Sequence, residues 1–289
     1  MKKFHLILIY VFICNTLSAQ YTLPSDWNRF EEALVYKILF KNILQKDSEI
    51  LSKNKVKTVE IYSKAENDVK YIRFNKSGFP EVINNDTYLS YDSSYNLTQY
   101  YYKDYYRKSL FTFNYQNSQI SSIYNYDEHY FAIEIFGKKI YTGVYTFLYS
   151  PNNLLTSVLI PELSPASPSY SLPIDSNSFH TNFFEYDKQD RLVNYIRFGQ
   201  HIIFNIRYSG DTIVVNKLHT MIIKYTIKDD RIISESHFDR DTTETFPYVK
   251  YEYIYKSNGL IDKLEVHQVS FPEKKDLYYN INYDYKYFK

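Results

Sequence analysis

The chain of 289 residues carries 34 Lys+Arg against 33 Asp+Glu, a formal net charge of +1. That balance excludes a basic nucleic-acid binder or an acidic tail protein. The composition is unusual in its aromatics, with 34 Tyr, 20 Phe and 1 Trp beside only 6 Gly and 1 Cys. Such an aromatic load excludes a disordered chain, and glycine is too scarce for a phosphate-cradling loop.

Lys2 and Lys3 precede an apolar run from Phe4 to Cys14, and Ser18-Ala19 supply a small-residue site. This is the pattern of a secretory signal peptide over residues 1–19, cut after Ala19. The apolar run falls short of the roughly 20 residues that a membrane-crossing helix needs, so no transmembrane anchor is expected after its removal. The expected localisation is export, to the periplasm, the cell surface or the extracellular space. Ile13 before Cys14 does not fit a lipidation site. Loss of Cys14 with the signal leaves no disulfide, thiolate metal site or cysteine nucleophile, so packing alone must stabilise the chain.

Residues 20–54 are expected to form a helical cap. Ser25 after Pro24 suits an N-cap, and Trp27, Phe30, Leu34 and Ile38 run down one helical face. The spacing predicts a helix ending near Gln45, with a short further turn from Asp47 to Lys53. Its broad apolar stripe should pack against a sheet and cap one end of it.

From Val56 the period becomes two, as in Lys57-Thr58-Val59-Glu60-Ile61-Tyr62 and Tyr251-Glu252-Tyr253-Ile254-Tyr255. One phrase recurs: aromatic or aliphatic, any residue, aromatic, four to six turn residues, then Leu or Ile. Ile72-Arg73-Phe74, Leu89-Ser90-Tyr91, Phe113-Asn114-Tyr115, Phe147-Leu148-Tyr149 and Phe184-Glu185-Tyr186 open copies of it. Ile206-Arg207-Tyr208, Ile223-Lys224-Tyr225, Tyr253-Ile254-Tyr255 and Ile281-Asn282-Tyr283 continue the series. Each copy reads as a hairpin corner, with two residues on one strand face followed by turn chemistry and a return strand. The gaps between anchors drift from 17 to 37 residues. A closed propeller or tight solenoid would hold its period better. The expected fold is mostly β: an antiparallel meander of repeated β-hairpins forming an extended or curled sheet. The repeats fill residues 55–160 and 183–289. Between them lies a Pro/Ser-rich loop, residues 161–182, containing Pro161, Pro165, Pro168 and Pro173. It either separates two sheet segments or makes an excursion from one continuous sheet.

The Tyr-Asp corner followed by a turn and a hydrophobic residue resembles the YD (RHS-type) repeats of bacterial secreted and surface proteins, over roughly residues 70–289. Tyr91-Asp92, Tyr186-Asp187 and Tyr283-Asp284 match that family's Tyr-Asp pair, and Gly78 and Gly259 match its glycine. Most copies replace the Asp and lack the Gly. The resemblance implies an architecture of coiled hairpins rather than an activity.

No nucleophile elbow, P-loop or dinucleotide fingerprint is present, and the seven histidines never fall in His-Glu-x-x-His spacing. No catalytic residue, metal site or cofactor is therefore assigned. Asp239-Arg240-Asp241 begins like a calcium loop, but Glu244 stands where that loop needs glycine, so a solvated turn is expected. Glu128, Glu134, Glu185 and Asp187 could supply a glycosidase carboxylate pair, which only their separation in space decides. The densest aromatic patch is Tyr100-Tyr101-Tyr102-Lys103-Asp104-Tyr105-Tyr106. A hairpin turn at Lys103-Asp104 would place Tyr100 and Tyr102 on one face. Tyr100, Tyr102 and Tyr105 are thus candidate ligand contacts, stacking on sugar rings, while cross-strand tyrosine pairing is the structural alternative. The expected function is an exported, non-catalytic binding or scaffold module for a glycan or a partner protein at the cell envelope, with no nucleic-acid partner. A carbohydrate-active hydrolase is the alternative. Exposed strand edges that pair with another protein are a third possibility.

Overall fold

The computed structural model describes residues 34–63, 68–84, 86–94, 96–103, 107–129, 139–161, 179–197, 201–217, 221–239, 247–270 and 274–289. Two helical segments come first, α1 over residues 34–39 and α2 over Lys41–Lys53, on either side of a turn at Phe40. The expected break near Gln45 does not occur. The signal peptide and the Ser25 cap lie outside the described residues.

Eighteen strands follow. They are β1 (Val56–Ser63), β2 (Asp68–Phe74), β3 (Pro80–Ile83), β4 (Thr87–Tyr91), β5 (Leu97–Lys103), β6 (Arg107–Gln116), β7 (Gln119–His129), β8 (Lys139–Tyr149) and β9 (Leu155–Pro161). The second half comprises β10 (Phe179–Tyr186), β11 (Leu192–Arg197), β12 (His201–Ser209), β13 (Thr212–Lys217), β14 (Met221–Lys228), β15 (Arg231–Asp239), β16 (Val249–Tyr255), β17 (Ile261–Ser270) and β18 (Lys274–Tyr287). Each strand pairs antiparallel with the next, β9 and β10 included, so the Pro/Ser-rich region interrupts one continuous sheet rather than dividing two.

The expectation of an extended or curled open sheet is corrected here, because β1 pairs with β18 and the sheet closes into a barrel. The register runs from Val56 opposite Tyr287 to Ser63 opposite Ile281. The terminal run Tyr283, Tyr285, Tyr287 supplies this last strand, a pairing between chain ends that no local periodicity encodes. Closure also removes the free edges through which another protein could have added a strand.

The alternation of the strands sorts their side chains between two environments. Inward residues from all eighteen strands, among them Ile61, Ile72, Phe113, Ile123, Tyr145, Tyr195, Ile223, Leu264 and Ile281, form one contiguous apolar cluster with α1 and α2. A round barrel of this strand number would enclose an aqueous channel. Here the inward side chains are buried against one another and against the helices, so the interior is a packed core. Tyr36 and Phe40 meet Tyr225 edge-on, with ring centroids 6.2 and 4.9 Å apart. The helical segment thus packs inside the wall instead of merely covering it.

Seven tyrosines explain most of the repeated phrase. Tyr91, Tyr115, Tyr149, Tyr186, Tyr208, Tyr255 and Tyr285 each end an even-numbered strand. Each donates its hydroxyl to the backbone carbonyl that starts the preceding hairpin's return strand: Pro80, Leu97, Ile120, Leu155, Leu192, Ile232 and Ile261, at 2.7–3.0 Å. The ladder between neighbouring hairpins stops short of these carbonyls; β5–β6, for example, ends at Gln99 opposite Thr112. A buried carbonyl left there would cost stability, and the tyrosine satisfies it. Two even-numbered strands, β2 and β14, lack such a tyrosine, and β14 shows why. Between β13 and β14 the ladder runs on to Thr212 opposite Thr226, the amide of Ile227 donates to the Asp211 carbonyl, and no tyrosine is needed. A β-bulge just before the corner residue re-aims it in most copies, as at Ser90/Tyr91 and Leu148/Tyr149.

The residue after the tyrosine builds the turn. The Asp187 carboxylate accepts from the amides of Gln189 and Arg191, and Asp92 accepts likewise from Ser94 and Asn96. These are Asx-type turns, so the aspartate of the Tyr-Asp pair has a structural role here.

Candidate functional site

Two Glu-x-His sequences lie on strands, and the period of two decides what each can do. Glu235-Ser236-His237 on β15 points inward, because Glu235 sits opposite Tyr225 and Tyr251. Glu265-Val266-His267 on β17 points outward, because the alternate residues Leu264 and Val266 belong to the core.

The inward pair forms a buried polar constellation in the barrel interior. His237 Nε2 donates to Glu235 Oε1 at 2.5 Å, the direction required if the carboxylate is ionised. The Tyr253 hydroxyl donates to the other oxygen of Glu235 at 3.3 Å. The Tyr251 ring flanks the imidazole at 5.1 Å, and Tyr248 meets it edge-on at 6.1 Å. Burial, reinforced by the carboxylates of Asp239 and Glu235 and opposed by the Lys217 ammonium, raises the Tyr248 hydroxyl above its ordinary range. The Lys217 ammonium lies over the rings of Tyr36 and Phe204, 5.5 and 5.9 Å from their centroids. Farther round the wall, Asn182 Nδ2 donates to the Tyr195 hydroxyl at 2.6 Å, and Asn125 Oδ1 is buried. Chemically, the Glu235–His237 pair can hold and pass a proton and can hydrogen-bond a polar ligand. Its side chains are only 5% and 13% exposed.

The tyrosines singled out in the sequence fall differently. Tyr100 is in the core, edge-on to Phe111 at 5.7 Å, and Tyr102 packs against the same core. Tyr105 lies outside the described residues. The neighbour of opposite parity, Tyr101, pairs across strands with Tyr88 on the outer wall, their rings 6.0 Å apart. Among the described residues, each candidate carboxylate has a structural partner. Glu128 is buried and accepts from Tyr126 at 2.9 Å, Glu185 accepts from Asn194 at 2.8 Å, and Asp187 holds its turn with Arg191. Glu134 lies outside the described residues. β7 and β10 are separated by two strands, roughly 14 Å at ordinary strand spacing, wider than a glycosidase pair.

Sequence reasoning passed over both Glu-x-His pairs because it searched for helical metal spacing. On a strand the informative spacing is i, i+2, and both pairs were legible in those terms.

No protein-family model and no curated protein matches the chain. Among solved structures it is similar to one described as a porin-like protein from Bacteroides uniformis ATCC 8492. The two share 11% identity at a TM-score of 0.36, over 80% of this chain and 98% of that one. No helix among the described residues is long and apolar enough to cross a membrane.

Proposed function

We propose that this chain is an exported, non-catalytic β-barrel of the cell envelope that works in water and binds a glycan or a partner protein on its outer wall. The observation that carries this reading is the polarity of the wall. Inside lies a continuous apolar core. Outside, β1, β14 and β16 to β18 present Glu60, Lys224, Lys250, Glu252, Lys263, Glu265, Asp284 and Lys286, while Val214, Ile222 and Phe238 form a small apolar cluster on β13 to β15. Several of the charged groups form ion pairs, such as Lys250–Glu252 at 2.8 Å and Lys263–Glu265 at 2.7 Å. A bilayer-spanning barrel has the reverse arrangement, an apolar belt outside and a polar lumen. A lysine held at the bilayer midplane would cost about 2–4 kcal/mol and less toward the interfaces, so this spread of charge disfavours immersion of this face.

The Tyr88–Tyr101 pair, outward and on adjacent strands, takes over the stacking role first assigned to Tyr100, Tyr102 and Tyr105. Its two rings offer flat apolar faces with hydroxyl handles to a sugar. The corner phrase supports kinship with YD-repeat proteins, since Asp92 and Asp187 both close Asx-type turns behind a latching tyrosine.

The full-length chain, expressed in a Gram-negative host, should be recovered from the envelope without detergent, begin at Gln20 and give no conductance in a planar bilayer. Extraction by detergent alone together with ion conductance would overturn the reading. Glycan-array binding weakened by Tyr88→Ala and Tyr101→Ala would support a sugar ligand. Binding that both substitutions leave intact would remove this pair from the proposal.

A further inference from the structure

The outward Glu-x-His pair has a third member. Glu252 on β16 lies directly opposite Glu265 on β17, and Lys250 lies opposite His267. Two carboxylates directly opposed across strands repel one another unless something positive sits between them. Each glutamate gives one oxygen to a lysine, Oε1 of Glu252 to Lys250 and Oε1 of Glu265 to Lys263. The other oxygen of each, Oε2, turns toward His267 Nε2, at 3.3 and 3.5 Å respectively.

His267 is the unusual member. Its side chain is only 8% exposed, yet neither ring nitrogen makes a hydrogen bond among the described residues. The Nε2 contacts have ion-pair distances without hydrogen-bond direction. A buried imidazole that forgoes both hydrogen bonds is costly unless something else occupies its lone pair.

We propose that Glu252, Glu265 and His267 form a binding site for a divalent cation of the zinc class on the outer wall of the barrel. The spacing fits the chemistry. Ligand bonds of about 2.0–2.1 Å in a tetrahedral arrangement put donor atoms roughly 3.3–3.5 Å apart. Both carboxylate oxygens stand at that distance from Nε2, and the three donor atoms lie within 4.8 Å of one another. One imidazole and two carboxylates suit a borderline divalent ion. Three protein ligands leave a fourth position for water or an exogenous group. Lys250 and Lys263 hold the outer oxygens and so aim the inner ones, as hydrogen-bonded neighbours of metal ligands do. The ion would also relieve the Glu252–Glu265 repulsion.

The test is titration of the full chain with zinc chloride against a chromophoric chelator, with Glu252→Gln, Glu265→Gln and His267→Ala as variants and His237→Ala as the control for the inward pair. The expected result is one zinc per chain at micromolar or better affinity. Each of the three ligand substitutions should weaken binding at least about tenfold, and His237→Ala should leave it unchanged. The two Glu→Gln changes conserve shape, so circular dichroism of those variants separates loss of metal from loss of fold. Absence of stoichiometric binding, binding insensitive to the three substitutions, or binding lost in His237→Ala would each overturn the assignment.

Discussion

The hydroxyl of Tyr149, at the end of β8, donates to the carbonyl oxygen of Ile120, at the start of β7, at 3.0 Å. The β7–β8 ladder stops at Ser122 opposite Thr146, so this side-chain bond joins the two hairpins where backbone pairing has run out. Six other tyrosines make the same bond at the same end of the barrel. Their removal is therefore a direct measure of what holds adjacent hairpins together.

Tyr149→Phe keeps the ring in place and deletes only the hydroxyl. It should lower stability by about 0.5–1.5 kcal/mol, toward the upper end because the Ile120 carbonyl loses its partner. Tyr186→Phe should cost a similar amount, and the double variant tests whether neighbouring latches act independently. Tyr124→Phe, on the outer wall and exposed, should be neutral within about 0.5 kcal/mol. Urea midpoints measure all four. Equal effects for Tyr149 and Tyr124 would show that the latch bond contributes nothing.

The latches also set an alkaline limit. Burial raises the hydroxyls of Tyr91, Tyr115, Tyr149, Tyr186, Tyr255 and Tyr285 well above the ordinary value of 10, and pushes Tyr208 up to about 12. The folded state keeps these protons where the unfolded state releases them. Their contribution is therefore complete below pH 10 and is lost as pH rises toward 12. Stability should fall steeply over that window. Ultraviolet titration should show the latch tyrosines ionising only as the chain unfolds. A single transition that includes every tyrosine while the barrel remains folded would contradict this.

Much of this fold was present in the sequence, but as local syntax. The tyrosine of Phe147-Leu148-Tyr149 announced a corner, and Ser150-Pro151-Asn152-Asn153 announced its turn. Both are settled by backbone sterics and side-chain hydrogen bonds within a few residues. Closure was not legible, because the pairing of Ile61 with Tyr283 depends on accumulated twist and stagger over sixteen intervening strands. The candidate site was half legible. Glu235 and His237 were readable as one strand face, but Tyr253 and Glu252 reach their partners only through the β15–β16 and β16–β17 registers, which the sequence does not state. Tyr100 illustrates the converse. Its alternation with Tyr101 was evident, but which of the two faced the core depended on closure.

Asp47 on α2 should contribute stability in acid that is lost toward neutral pH. Burial raises its carboxyl to about 7, against smaller opposing effects of Arg231 and Lys46. Between about pH 4 and 7 the folded state holds a proton that the unfolded state has released. The favourable contribution is therefore full below pH 4 and is lost as pH rises through 7. Asp47→Asn removes that titration. The stability of the variant relative to the native chain should rise by on the order of 2 kcal/mol between pH 4 and pH 8. Comparing the pH dependence cancels any constant cost from withdrawing a carboxylate near Arg231. Parallel stability curves for the two proteins would refute the assignment.

Two glycines in corner turns offer a matched contrast. Gly78 (φ +79°) and Gly210 (φ +53°) both occupy the left-handed region, where a side chain costs roughly 1 kcal/mol. They differ in what stands beside them. A Cβ on Gly78 would lie 2.6 Å from the Ser48 carbonyl oxygen and 2.9 Å from the Ser52 amide nitrogen, both backbone atoms of α2. A Cβ on Gly210 would meet nothing within 4 Å. Gly210→Ala should therefore cost only the backbone term. Gly78→Ala must also push α2 away from the β2–β3 turn, weakening the contact of Ser52 with the Lys76 carbonyl and loosening Ile43 and Leu44 in the core. Its cost should exceed that of Gly210→Ala by about 1–3 kcal/mol, as overpacking against a rigid neighbour does. Thermal unfolding of the two variants, followed by near-ultraviolet circular dichroism, separates them. Equal losses would mean that α2 is free to shift and is not locked against the turn end of the barrel.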